Sequence, residues 1–317
     1  MSYFNLIPAK KPTFYYIGVT TTKSSIMKVF PRWAIHLGLG DTPIVGIDCK
    51  IHDKPEIYRK IVEFIKYDDL SLGALVTSHK IDLFDAAKDL FDDVGPYTKL
   101  LGELSCISKN DGKLWAHAKD PITSGLSYES FIPKNHWQKT EGEICILGAG
   151  GASLALTTYF IETLRREQRP STIHITNRTI PRLEKMETIH KKINRGMNFE
   201  YHHCPEPEDN DKIVNSLKAS SLVINGTGAG KDFPGSPLTN RIQFPDNGFI
   251  WDYNFRGDLV FLKQARMQQN EKNLHIEDGW IYFLHGWQRV IAEVFHINIP
   301  TSGPEFDKLS KIALEVK

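Results

Sequence analysis

The feature that most constrains this chain is an apolar run that stops at a glycine turn and restarts as a helix: Glu143-Ile-Cys-Ile-Leu-Gly148-Ala149-Gly150-Gly151-Ala152-Ser153. Four apolar residues without polar alternation read as a strand buried on both faces, the habit of parallel sheets covered by helices. Parallel strands cannot be joined by tight turns, so such a strand commits its neighbourhood to helical crossovers. The sequence supplies them. Strand candidates at Ile144–Leu147, 173–176, Leu222–Asn225 and Phe249–Asp252 alternate with helical patterns at 152–166, Ile180–Ile193 and 258–268. Together they predict a complete open α/β sheet.

A second alternating set precedes it. Strand candidates at 14–19, 43–48 and 74–77 are each followed by helical periodicity. Ser24 or Ser25 caps the first helix, which Pro31 is expected to kink or split. Asn110-Asp111-Gly112 between apolar stretches predicts a tight hairpin. A polar link over 133–143 separates the two sets. The segment 278–295, after Asp278-Gly279, is a helical pattern too apolar to stand exposed, so it is expected to return to the first domain. The predicted division is an α/β domain over 1–130, an open-sheet α/β domain over 131–277 and a helical C-terminal segment over 278–317.

The 317 residues suffice for two domains. Lys and Arg (39) balance Asp and Glu (38), which argues against nucleic acid or an anionic membrane as partner. Cys49, Cys106, Cys145 and Cys204 have no paired spacing, so neither a disulfide framework nor a zinc knuckle is expected and a reducing cytoplasm fits. No run of about 18 apolar residues occurs. His202-His203-Cys204 places its side chains too close in sequence for a metal motif, and no metal is expected.

In the glycine turn, Gly148 permits the tight bend, Gly150 admits backbone close to a pyrophosphate, and Ala149, Gly151 and Ala152 open a helix whose N–H groups favour an anion. Ser153 stands for the third glycine. The plain alternative is a tight strand-to-helix turn without a ligand. After the next strand come Asn177-Arg178-Thr179 and Arg182, with no acidic residue to accept from a ribose 2′-hydroxyl. Planar guanidinium groups suit a 2′-phosphate, so NADP is preferred over NAD. Gly226-Thr-Gly-Ala-Gly230-Lys231 lacks the spacing of a nucleotide phosphate loop and reads as a turn beside the crevice, with Asn225 and Thr227 toward the nicotinamide.

In that order, Gly148–Ser153, Asn177-Arg178-Thr179 with Arg182, Asn225 with Thr227, Asp252, and Asp278-Gly279 make the chain resemble the shikimate dehydrogenase family from about residue 16 to 295. The resemblance implies a two-domain NADP oxidoreductase, with an N-terminal α/β substrate domain over 1–130 and an NADP-binding Rossmann domain over 131–277, acting on a hydroxylated cyclic acid, monomeric or homodimeric. It implies Lys80, in Val76-Thr77-Ser78-His79-Lys80, and Asp120, after Asp111-Gly112, as a catalytic pair facing the nicotinamide across an interdomain cleft. It also places Ser24, Ser25, Thr77, Ser105, His285 and Gln288 around the substrate. A lysine can take and return the hydroxyl proton of a secondary alcohol when burial lowers its pKa, and a carboxylate orients it.

The pocket departs from the family: Ile26 replaces a serine, Ser105 an asparagine, Gly286 a glutamine and Phe255 a tyrosine. Lys23, Ser25, Arg32 and Arg256 are candidate replacements for carboxylate binding. Changed donors in a closed site alter specificity strongly. Two other readings therefore stand: a dehydrogenase of another cyclic polyol or quinate-like acid, and a non-catalytic NADP-binding sensor. A folate-linked methylene dehydrogenase of similar build is a weaker third.

Overall fold

The computed structural model describes residues 6–316. The chain forms two compact units, one made of the segment up to Lys119 with the segment from Leu284 onward, the other of residues 120–283. The divisions fall after Lys119 and after Phe283, against the expected 130 and 277.

The first segment runs β1 (Thr13–Gly18), α1 (Ile26–His36), β2 (Ile44–Asp48), α2 (Pro55–Tyr67), β3 (Ser71–Val76), α3 (Lys80–Ala87), β4 (Asp93–Val94), α4 (Pro96–Leu101), β5 (Cys106–Asn110) and β6 (Lys113–His117). The sheet order is β2-β1-β3-β5-β6-β4. β1 pairs in parallel with β2 and β3, whereas β5 is antiparallel to β3 and β6. The predicted hairpin lies at this junction: Asp111 (φ 50°) and Gly112 (φ 75°) are both left-handed, the conformation of a type I′ turn.

Pro31 does not split α1, which is one helix over Ile26–His36. Proline in a helix interior costs about 3 kcal/mol. Ile26, Val29, Phe30, Trp33 and Ala34 are completely buried, and burying side chains of that size is worth roughly 1.5–3 kcal/mol each, so packing outweighs the loss. The Trp33 indole N–H donates to the Leu309 carbonyl at 2.8 Å, which satisfies its only polar group.

The second unit continues with α5 (Asp120–Phe131), α6 (His136–Lys139), β7 (Ile144–Leu147), α7 (Gly151–Thr163), β8 (Ile173–Asn177), α8 (Ile180–Ile193), β9 (Phe199–His203), α9 (Pro207–Asn215), β10 (Leu222–Asn225), β11 (Phe249–Asp252), α10 (Val260–Lys272) and β12 (His275–Glu277). Its sheet is parallel throughout in the order β12-β11-β10-β7-β8-β9. This is the doubly wound order, and strand order reverses between β7 and β10. β7, β10 and β11 are buried at every residue. The region 133–143 is not a plain polar link. α6 buries His136 and Trp137, and the Trp137 indole donates to the Tyr128 hydroxyl at 2.5 Å.

α11 (Trp280–Val294) and α12 (Pro304–Leu314) close the chain. From Leu284 onward the segment belongs to the first unit, as its apolar pattern required. Phe295 meets the rings of Phe14 and Phe30 at 5.7 and 5.8 Å.

Candidate functional site

A cavity of about 550 Å³ opens in the second unit at the carboxyl ends of the strands, where their order reverses. Open α/β sheets bind ligands at this point. One wall is the glycine turn. Gly148 has φ +103°, and a Cβ there would come within 2.9 Å of the Thr227 methyl. The turn is fixed from both sides, because the Gly148 N–H donates to Thr176 O at 2.9 Å and the Ser153 hydroxyl donates to Gly148 O at 2.5 Å. Gly150, by contrast, faces space: a Cβ there has no neighbour closer than 3.9 Å. Gly150 caps α7 without a side-chain bond, so the N–H groups of the first turn are left for an anion. These residues fit a pyrophosphate.

The opposite wall begins at the end of β8. Asn177, Arg178 and Arg182 line the cavity. Asn177 is a brace: its Oδ1 accepts from the Ala149 N–H at 3.2 Å and its Nδ2 donates to Thr179 O and Oγ1, each at 3.0 Å. Thr179 therefore acts through Asn177 and is not among the lining residues. The Arg178 guanidinium lies 5.8 Å from the centre of the Phe233 ring, a cation–π contact that holds it at the cavity. One acidic residue, Glu206, lines the cavity, at the start of α9, where its backbone N–H donates to Asp209 Oδ2 at 3.3 Å.

Asn225 does not line the cavity. It is completely buried, its Nδ2 donates to Asp252 Oδ2 at 3.1 Å, and its Oδ1 accepts from the Thr227 N–H and hydroxyl at 3.0 and 2.6 Å. Asp252 also accepts from the Asn254 N–H at 2.8 Å. Burial raises the Asp252 carboxyl to about 6 in spite of these donors. Asn225 and Asp252 thus shape the loop that brings Thr227 to the cavity. Ala149, Gly151 and Ala152 are not among the lining residues, and the Ala149 N–H is taken by Asn177. Sequence reasoning missed the wall formed by Cys204-Pro205-Glu206-Pro207, because β9 alternates polar and aromatic residues and carried no apolar signal.

In the first unit, Thr77 is half-buried, its hydroxyl 3.3 Å from that of Tyr16. Lys80 opens α3, half-buried. The neighbouring His79 is completely buried, with Nδ1 3.0 Å from the Tyr58 hydroxyl. Ser24 and Ser25 are half-buried at the start of α1. Ser105 Oγ accepts from the Lys119 backbone N–H at 2.8 Å, a bond within the scaffold. His285 stacks on Phe306 at 4.7 Å, and burial followed by the Arg289 charge lowers it to about 4. Gln288 is 0% exposed and, among the described residues, neither atom of its amide has a hydrogen-bond partner. A buried amide of this kind takes an ordered water or a polar ligand as its partner. Arg32 is paired with Glu315 at 3.2 Å, whereas Lys23 and Arg256 are exposed. Asp120 opens α5 in the second unit, half-buried.

No family model matches the chain. It is 25% identical over 182 residues to a shikimate dehydrogenase (NADP(+)) of Streptococcus thermophilus, across 57% of this chain and 59% of that protein. The chain is similar in sequence to the shikimate dehydrogenases. It spans about three fifths of the length of the curated relatives it matches. Solved structures extend the fold further. A shikimate dehydrogenase from Aquifex aeolicus matches 97% of this chain and 99% of its own at TM-score 0.70 and 20% identity. A quinate dehydrogenase from Corynebacterium glutamicum, solved with NAD, matches 96% and 99% at TM-score 0.73 and 14% identity. Among the described residues, no helix is long and apolar enough to cross a membrane.

Proposed function

We propose that this protein is an NADP-dependent oxidoreductase that interconverts the alcohol and ketone of a shikimate-like cyclic hydroxy acid. The observation that carries the reading is the cavity at the strand reversal, lined by the glycine turn on one side and by Arg178 and Arg182 on the other. NADP, when bound, supplies the hydride acceptor for oxidation and the hydride donor for reduction. The open face of Gly150 and the free first turn of α7 receive the pyrophosphate, and the two guanidinium groups receive the 2′-phosphate. The relatives named as NADP(+) shikimate dehydrogenases support this choice. The four free cysteines suit a reducing cytoplasm.

In this reading Lys80 takes the hydroxyl proton of the alcohol and returns it to the ketone, and Asp120 orients the ammonium group. Thr77, Ser24 and Ser25 bind ring hydroxyls, while Gln288 and His285 give the substrate polar partners deep in the first unit. A second reading, a dehydrogenase of a quinate-like acid or another cyclic polyol, draws on Ile26, Gly286 and Phe255, which remove donors and acceptors from the pocket. A panel separates them: absorbance near 340 nm is followed with NADP and shikimate, quinate and other cyclic alcohols in turn. Turnover with shikimate lost in Lys80→Ala supports the first reading, and turnover confined to another alcohol supports the second. Tight NADP binding with silence across the panel, unchanged by Lys80→Ala, would replace both with a sensor.

A further inference from the structure

The outer edge of the second sheet carries a cluster that the cofactor reading does not use. β8 and β9 are parallel neighbours with His174 opposite Glu200 and Thr176 opposite His202. Alternate residues of a strand share a face. Glu200 and His202 therefore project on one side with His174, while Phe199 and Tyr201 turn to the other and pack on His190. The pattern His174…Glu200-Tyr201-His202 delivers two imidazoles and a carboxylate to one spot.

Three atoms meet there. His174 Nδ1 lies 3.1 Å from His202 Nε2 and 3.3 Å from Glu200 Oε2, and His202 Nε2 lies 3.7 Å from Glu200 Oε2. A tetrahedral ion with bonds of about 2.0–2.1 Å to nitrogen and oxygen has ligand-to-ligand edges of about 3.3–3.4 Å. The triangle is already one face of that tetrahedron to within a few tenths of an ångström. The other nitrogen of His174 is buried and, among the described residues, has no hydrogen-bond partner. Glu143 Oε1 lies 3.8 Å from it. Glu143 is held in turn by the Lys218 N–H at 3.3 Å. A carboxylate behind the distal nitrogen of a ligating histidine is the usual outer partner of a zinc ligand.

We propose that His174, Glu200 and His202 bind a divalent ion of the zinc class, with Glu143 orienting His174 from behind. Two imidazoles and one carboxylate are the donor set of three-ligand zinc sites, which leave the fourth position to water. Solvent reaches it here, since the Glu200 side chain is 50% exposed. The bound ion clamps the edge strand β9 to β8. β9 leads directly into the Cys204–Pro207 wall of the cavity, so the clamp fixes that wall from outside. Its role is structural, apart from proton or hydride chemistry.

The test is calorimetric titration of ZnCl₂ into the tag-free, chelator-stripped 317-residue chain, repeated with CoCl₂ while the visible bands of a four-coordinate cobalt ion are recorded. The expected result is one site per chain, a zinc-dependent rise in unfolding temperature, and proton release on binding. Glu200→Gln and His202→Ala each weaken zinc at least tenfold, and Glu143→Gln weakens it about 10–100-fold. Unfolding midpoints measured without metal confirm that the three variants fold. Absence of stoichiometric binding overturns the proposal, as does binding that His202→Ala and Glu200→Gln leave unmoved.

Discussion

At the end of β8 the chain spends two arginines where a ribose-selective site would place a carboxylate, and both stand in the cavity wall. Hydrogen bonds to a charged group are worth about 1.5–3 kcal/mol, a factor of roughly 10–150. Arg178→Ala is therefore expected to weaken NADP by about one to two orders of magnitude while moving NAD little, as read by fluorescence titration. Equal losses for both cofactors would assign Arg178 to the scaffold. Lys80→Ala is expected to lower kcat by about 10²–10⁴ with NADP affinity retained. A stopped-flow and binding pair separates those two effects, and a loss confined to NADP affinity would remove Lys80 from the proton chemistry.

Helices α5 and α7 pack so closely that a Cβ on Gly125 would lie 2.3 Å from the Tyr159 ring. The ring cannot swing away freely, because its hydroxyl donates to Glu129 at 2.7 Å. Alanine favours a helix by up to about 1 kcal/mol over glycine, yet overpacking of this kind costs about 1–3 kcal/mol. Gly125→Ala should therefore lower stability by about 1–2 kcal/mol in urea unfolding, and Tyr159→Ala should absorb much of that loss in the double variant. Additive effects would mean that the contact is not tight. Elements of this kind mark how far the sequence was legible. The apolar strands β7, β10 and β11 and helix α8 were readable because burial on two faces and helical periodicity leave plain patterns. β9 was not, since Phe199-Glu-Tyr-His-His203 lies at the sheet edge with one face polar. α6 was hidden in a segment whose burial of His136 and Trp137 depends on partners distant in sequence, such as Ser220, whose carbonyl lies 2.8 Å from His136 Nε2. The glycine turn and the two arginines were legible as local motifs. That Asn225 faces Asp252 and not the cavity was not, because a strand-end asparagine can turn either way.

Across the whole molecule, buried histidines set the response to acid, and three of them are shifted furthest. Burial lowers His190 to about 4, and burial lowers His285 and His117 to about 4 as well, the last against the opposing pull of Glu293. Unfolded, each takes up a proton near its ordinary value of about 6.5, which the folded state refuses. Each therefore contributes stability above about pH 6.5 that is lost as pH falls toward 4, on the order of 1–3 kcal/mol. Asp252 works the other way: with its carboxyl raised to about 6, its contribution is greatest below about pH 4 and falls as pH rises through 6. His79, His136 and His202 are lowered by burial in the same sense and Glu277 is raised by burial like Asp252, so six histidines oppose two carboxyls and the urea midpoint should drop between pH 7 and pH 5. A midpoint that holds or rises over that range would mean that these histidines are accessible to solvent.

The cavity at the β7–β10 reversal is the proposed NADP site, and titration of the purified 317-residue chain with NADP and with NAD, followed by calorimetry, is its plainest test. One site per chain is expected, with NADP bound at least tenfold tighter than NAD and that preference lost in the Arg178→Ala, Arg182→Ala double variant. Equal affinity for the two cofactors, or binding of neither, would contradict it.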